Sequence, residues 1–203
     1  MDTLTTGDLS PGEIAALLDM PTNLVAHHLK VLQGTGLIVR SRSEGDRRRT
    51  YIRLVPAVLA GLNPASGWNA PRVVFVCTHN SARSQLAAAL WAQRSSVPAA
   101  SAGTRPAARV HPRAKRVARR HGLMLGGTEP RYVVDVLDID DLVVAVCDNA
   151  HEDLEGDPAD RLHWSVPDPA SIDTDAAFEA AYVDLAGRVE RLAPAVTMRS
   201  RDD

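Results

Sequence analysis

The sequence is poor in cysteine, nearly devoid of lysine and free of long apolar runs. No stretch nears the roughly 18 apolar residues of a membrane-spanning helix, and the start lacks a signal-like pattern. A cytoplasmic protein with no membrane partner is therefore expected. Only two cysteines occur, Cys77 and Cys147. In a reducing compartment, two such thiols favour reactivity over structural bridging. Lysine occurs only at Lys30 and Lys115, so the cations are nearly all arginine, a bias suggestive of a GC-rich genome with no functional content. The formal net charge of −2 hides an asymmetry, since residues 40–53 hold six arginines against Glu44 and Asp46. A second basic cluster, Arg113, Lys115, Arg116, Arg119 and Arg120, reads as the solvated face of a helix.

Among the features present, Cys77-Thr78-His79-Asn80-Ser81-Ala82-Arg83-Ser84 says most. An apolar strand, Val73 to Val76, runs into it, and a helix-forming stretch, Gln85 to Gln93, runs out. Strand, short loop and helix make an oxyanion cradle: loop N–H groups converge, the helix N-terminus adds positive potential, and an arginine grips two oxygens. A thiol at its base is favoured as thiolate, which makes Cys77 a candidate nucleophile toward phosphate-like centres. Spacing alone also fits a buried small residue followed by a surface arginine. Asn80, Ser81 and Ser84 favour the reactive reading, because short polar side chains fix an irregular backbone and Ser84 can donate to the sulfur.

Beyond the loop, apolar runs at Val73–Val76 and Leu142–Val146, with a weaker one at Leu162–Val166, alternate with helical stretches at Ser84–Gln93, Pro112–His121 and Ala176–Leu192. This predicts an α/β domain, a small parallel sheet of about four strands with helices on both faces. Phe178, Tyr182, Leu185, Val189 and Leu192 form an apolar stripe that reads as core. Chemistry in such sheets gathers at the carboxyl ends of the strands, where Cys77, Cys147 and Asp168 all fall. An Asp-Pro pair such as Asp168-Pro169 is by itself as much a turn opener as an acid.

Residues 72 to about 192 resemble the low-molecular-weight protein tyrosine phosphatase superfamily and, within it, the thiol-coupled arsenate reductases. Cys77 to Gln85, Ser101-Ala102-Gly103, Asp141 to Cys147, His163-Trp164 and Asp168-Pro169-Ala170 carry the match. The resemblance implies that residues 78–84 bind the oxyanion with Arg83, that Asp168 is the general acid on a closing loop, and that the Cys77 and Cys147 strands are neighbours. It also makes Cys147 a resolving cysteine, where related phosphatases carry an acidic residue. Arsenate on Cys77 would then leave as arsenite when Cys147 attacks the Cys77 sulfur. The alternatives are an inert, buried Cys147 in a phosphatase acting on phosphate monoesters, and a non-catalytic oxyanion or redox sensor.

Departures from the family pattern shape these expectations. Leu154 stands where thioredoxin-coupled reductases hold a third cysteine, so an external reductant is needed: mycothiol with mycoredoxin, thioredoxin or glutathione. No metal or bound organic cofactor is expected. Ala82 replaces a frequent further cysteine, and His79 replaces a usual glycine, where a side chain is expected to crowd or strain the loop.

Residues 1–55 read as a separate small domain and 56–71, with Pro56, Gly61, Pro64, Gly67 and Pro71, as the linker to a domain at 72–203. Ser10-Pro11-Gly12-Glu13 is a capping box with proline at the first helical position. A turn at Asp19-Met20-Pro21 leads to a second helix, about Asn23 to Gln33, and strands at Leu37–Arg42 and Thr50–Leu54 flank a Glu44-Gly45-Asp46 tip. This is a partial winged helix-turn-helix and resembles the arsenic-responsive repressors. Asn23, His27 and Lys30 on the helix, with Arg40, Arg42, Arg47, Arg48 and Arg49 on the hairpin, are the candidate contacts to double-stranded DNA, and Arg53 is a further phosphate-binding cation. His27 and His28 read as packing and backbone contacts, not metal ligands. Not all of the helices that build the dimer in such repressors are in this sequence, so binding is expected to be weak or to need a homodimer. A cysteine-rich arsenite site before the capping box is also absent, since residues 4–9 hold no cysteine.

Overall fold

In the computed structural model, the described residues are 3–55, 67–125, 129–154, 156 and 161–199. The N-terminal unit opens with a short helix, α1 (Thr3–Thr6), followed by α2 (Pro11–Leu18) and α3 (Thr22–Gly34). The Ser10 hydroxyl accepts from the Glu13 N–H at 3.2 Å, and Glu13 Oε2 accepts from the Ser10 N–H at 2.6 Å, so the capping box is complete. Strands β1 (Ile38–Arg42) and β2 (Thr50–Leu54) pair antiparallel as the wing hairpin. Ile14, Val25, Leu29, Ile38, Ile52 and Leu54 form a small core of their own.

The larger unit is built on a four-stranded sheet with order β5-β4-β6-β7: Ala99–Gly103, Val73–Cys77, Leu142–Ala145 and Arg161–His163, all parallel. The central strand β4 is buried at every position, as its unbroken apolar run requires. The expected third run is strand only over Arg161–His163, and the residues after it turn toward the site. Strand β5 escapes propensity reasoning because Ala99-Ala100-Ser101-Ala102-Gly103 contains no β-branched or aromatic residue. Helices α4 (Arg83–Arg94), α5 (Pro112–Arg120), α6 (Asp148–Asp153), α7 (Pro169–Ile172) and α8 (Asp175–Leu192) flank the sheet. Phe178, Leu185, Val189 and Leu192 are fully buried, and half-buried Tyr182 stacks on His121, so the α8 stripe is core.

Three expectations need correction. Within the expected linker, residues 56–66 lie outside the described residues, but Trp68–Ala70 forms a strand, β3, paired in parallel with β8 (Val196–Met198). Both ends of the larger unit are thereby stitched together. The basic face of α5 is not simply solvated: Arg113 and Arg116 pair with Asp175 on α8, and Arg120 pairs with Glu179. Arg53 points into the protein, 2.6 Å from Asp184 and 3.8 Å from Asp8, and is not a free phosphate-binding group.

The two units share a polar, buried interface. Arg188 grips Asp8 at 2.8 Å, the Trp164 indole N–H donates to the Thr6 carbonyl at 2.7 Å, and the Asp8 N–H donates to the His163 carbonyl at 2.7 Å. His151 stacks on His163, with Tyr51 of the wing edge-on to both. His151 Nε2 meets Glu13 Oε1 at 3.0 Å. Burial works against the Glu13 carboxylate, yet the bonds from His151 and Ser10 outweigh it and lower its pKa to about 2.

Candidate active site

Cys77 ends β4 in register with Gly103 and is almost fully buried at the carboxyl edge of the sheet. The loop that follows is held by its carbonyls: those of Cys77, Thr78, His79 and Ser81 accept from the N–H groups of Thr104, Arg105, Ala107 and His111 at 2.8–3.1 Å. A peptide's C=O and N–H point in opposite directions, so carbonyls tied outward turn their partner amides inward. The Asn80 N–H donates to Cys77 Sγ at 3.2 Å. A Cβ on Gly103 would lie 2.8 Å from the Thr78 oxygen and 2.9 Å from the Asn80 nitrogen, so the loop can sit there only over a glycine.

The loop's left-handed residue is Asn80, at φ +48°, not His79. Asparagine tolerates that region because its side chain bonds locally. Here Asn80 Oδ1 accepts from the Arg131 N–H at 2.9 Å and from Gln85 Nε2 at 3.3 Å, while Nδ2 donates to Ser84 Oγ at 2.8 Å. Ser84 Oγ lies 3.1 Å from Cys77 Sγ. Asn80 and Ser84 thus both reach the sulfur, the first through its N–H and the second through its hydroxyl. His79 faces solvent, and the crowding expected of it does not arise.

Arg83 opens α4 and is only 4% exposed. Its Nη1 donates to the Val166 carbonyl at 2.8 Å, and its Nη2 lies 3.3 Å from Asp168 Oδ1. Burial disfavours its charge, but Cys147, Cys77, Asp168 and Glu44 around it more than compensate and keep it protonated. Asp168 caps α7, accepting from the Ala170 N–H at 3.3 Å. Cys147 caps α6, beside the β4–β6 pairing that ends at Val76 and Ala145, with its sulfur 3.5 Å from Thr78 Oγ1. Both thiols are free. Burial pushes the Cys147 thiol up to about 11, with Arg83 acting in the opposite sense.

Residues 72–201 match the family model of low molecular weight phosphotyrosine protein phosphatases. The chain belongs to that family. Residues 3–49 match the model of the MarR family, in keeping with the winged helix. No curated protein matches the chain. Among solved structures, the family domain is similar to an arsenate reductase from Archaeoglobus fulgidus, at 34% identity over 60% of this chain and 98% of that one, TM-score 0.51. It shares the fold of the Erwinia amylovora tyrosine phosphatase AmsI (20% identity, 63% and 94% of the two chains, TM-score 0.56). The fold also recurs in the Escherichia coli tyrosine phosphatase Wzb in complex with sulphate (21% identity, 62% and 97%, TM-score 0.55).

Of the residues singled out in the sequence, Cys77, Thr78, Asn80, Ala82, Arg83, Ser84, Cys147 and Asp168 gather in or against this phosphatase-family loop, whereas His79 turns away. Asn23, His27, Lys30, Arg40, Arg42, Arg47, Arg48 and Arg49 are exposed on α3 and the wing, with Arg48 paired to Asp46. Among the described residues no group of three or more histidine, cysteine or acidic side chains could hold a metal ion, and no helix is long and apolar enough to cross a membrane. Sequence reasoning missed Glu44, whose carboxylate lies on Arg83 at 3.0 Å. No local signal marks it, since its partner is 39 residues away in the chain.

Proposed function

We propose that this enzyme reduces arsenate to arsenite. Arsenate is held by Arg83 and the loop of residues 78–84, whose amides at 78, 79, 80 and 82 are turned inward. The Cys77 thiolate attacks arsenic, and Asp168 protonates the departing oxygen, which leaves as water. Cys147, as thiolate, then attacks the Cys77 sulfur. The S–As pair stays on arsenic, which goes from As(V) to As(III), and the two thiols become a disulfide. An external thiol system, mycothiol with mycoredoxin, thioredoxin or glutathione, restores them.

The observation that carries this reading is the second thiol, Cys147, set against the loop and acting on the same guanidinium as Cys77. One observation favours a phosphate-monoester hydrolase instead: Cys147 is wholly buried and strongly biased toward the neutral thiol. Exposed Lys30 on α3 and the exposed arginines of the wing, with the match to the MarR family model, support binding of double-stranded DNA by the N-terminal unit, for which a homodimer is the expected form.

Fully reduced protein incubated with arsenate, without added thiol, separates the two enzymes. Loss of two hydrogens per chain, with one arsenite released, is the expected result. An unchanged mass with no arsenite, together with hydrolysis of a phosphate ester that survives Cys147→Ser, would establish the phosphatase.

A further inference from the structure

The tip of the wing rests on the oxyanion cradle. Glu44 Oε2 accepts from Arg83 Nη1 at 3.0 Å, and Glu44 Oε1 accepts from the Asp168 N–H at 2.6 Å. Its carboxylate thus takes the Nη1 end of the guanidinium that an oxyanion would need, together with an amide of the acid loop. Charge counting sharpens the point. Arg83 already faces the Glu44 carboxylate and lies against Asp168, so an arriving dianion would have to share one cation with Glu44. Asp168 is tied into α7 as its N-cap, whereas Glu44 sits on a hairpin tip.

The tip is seated by more than that pair. The Ser43 hydroxyl and the Asp46 N–H donate to the two oxygens of Glu152 at 2.6 and 2.8 Å, and the Glu44 N–H donates to Asp148 Oδ2 at 2.8 Å. A Cβ on Gly45 would strike the Glu152 carboxylate and approach Asn149 Oδ1 to 2.8 Å, so the tip lies close against both side chains. Asp148 and Glu152 belong to α6, the helix that Cys147 caps. One hairpin tip therefore touches the arginine, the acid loop and the helix that carries the second thiol.

We propose that Glu44 is an internal ligand of the cradle, so that oxyanion binding at Arg83 and docking of the wing exclude each other. The anion site and the winged-helix unit are then coupled through one displaceable carboxylate. The inference rests on the oxyanion-binding part of the proposed function and not on arsenate turnover.

The test is calorimetric titration of arsenate and of phosphate into the full chain carrying Cys77→Ser, where no bond to sulfur can form, with and without Glu44→Gln or Glu44→Ala. Both Glu44 variants should bind at least about tenfold more tightly, as expected when a charge-assisted competitor is removed. Glu152→Ala, which loosens the tip without touching the cradle, should tighten binding in the same direction. With Glu44 present, saturating arsenate should speed hydrogen exchange at the Glu44 and Asp46 amides. Equal or weaker affinity in the variants, or wing amides that stay protected at saturation, would overturn the proposal. If every chain binds both anions equally, the cradle stands and the internal ligand falls; if none binds either anion, the cradle falls as well.

Discussion

Cys77 and Cys147 share a site but not the same surroundings. The first accepts from the Asn80 N–H and lies 3.1 Å from the Ser84 hydroxyl, whereas the second is wholly buried with its thiol pushed up to about 11. A resolving role for Cys147 therefore carries a pH signature. Because the neutral thiol is favoured, its thiolate fraction rises about tenfold per pH unit below that value. The internal disulfide, followed by quenched-flow mass analysis after arsenate addition, should form faster as pH rises from 6 to 9. A pH-independent disulfide step would mean that Cys147 does not have to ionise. At this scale the loop was legible, since Cys77, Asn80, Arg83 and Ser84 stand within eight residues and each type has one obvious use. The conformation of His79 was not, because which residue takes the left-handed turn depends on where the neighbouring carbonyls are tied.

Strand β5 and the loop it backs illustrate how an element matters through what it leaves out. Its small residues give a weak strand signal, yet Gly103 is the surface on which Thr78 and Asn80 lie. Gly103→Ala should disturb the loop, because the two nearest atoms are backbone and cannot step aside. An activity loss of at least about tenfold with unchanged far-ultraviolet circular dichroism is expected, since small misplacements of reacting groups are costly. Retained activity would mean that the loop shifts without consequence. The larger helices followed their sequence patterns within a residue or two, because apolar spacing and caps are local. Helices α6 and α7 did not, since they are short and their N-caps, Cys147 and Asp168, are also the chemical groups of the site.

Across the whole molecule, the joint between the units is held by charges that neither unit could bury alone. Asp8 and Arg188 are 3% and 4% exposed, and burial, aided by Asp148, pushes the Asp8 carboxyl up, opposed chiefly by Arg53. Arg188→Ala strands that carboxylate and should cost about 3–5 kcal/mol in urea unfolding, the range for breaking a buried pair by removing one partner. A cost below about 1 kcal/mol would show that Arg53 suffices by itself.

The sequence by itself determined the capping box and the winged hairpin, because each is written in spacing within some twenty residues; the alternation of apolar runs and helical stretches over residues 73–192 determined the parallel sheet, and the family resemblance gave the loop its identity. Only the tertiary structure decided that Arg53 faces Asp184 and not a nucleic acid, that Trp68–Ala70 is a strand, and that Glu44 lies on Arg83. Those outcomes depend on which charges are desolvated together when distant segments meet, and pairings of that kind leave no local pattern to read.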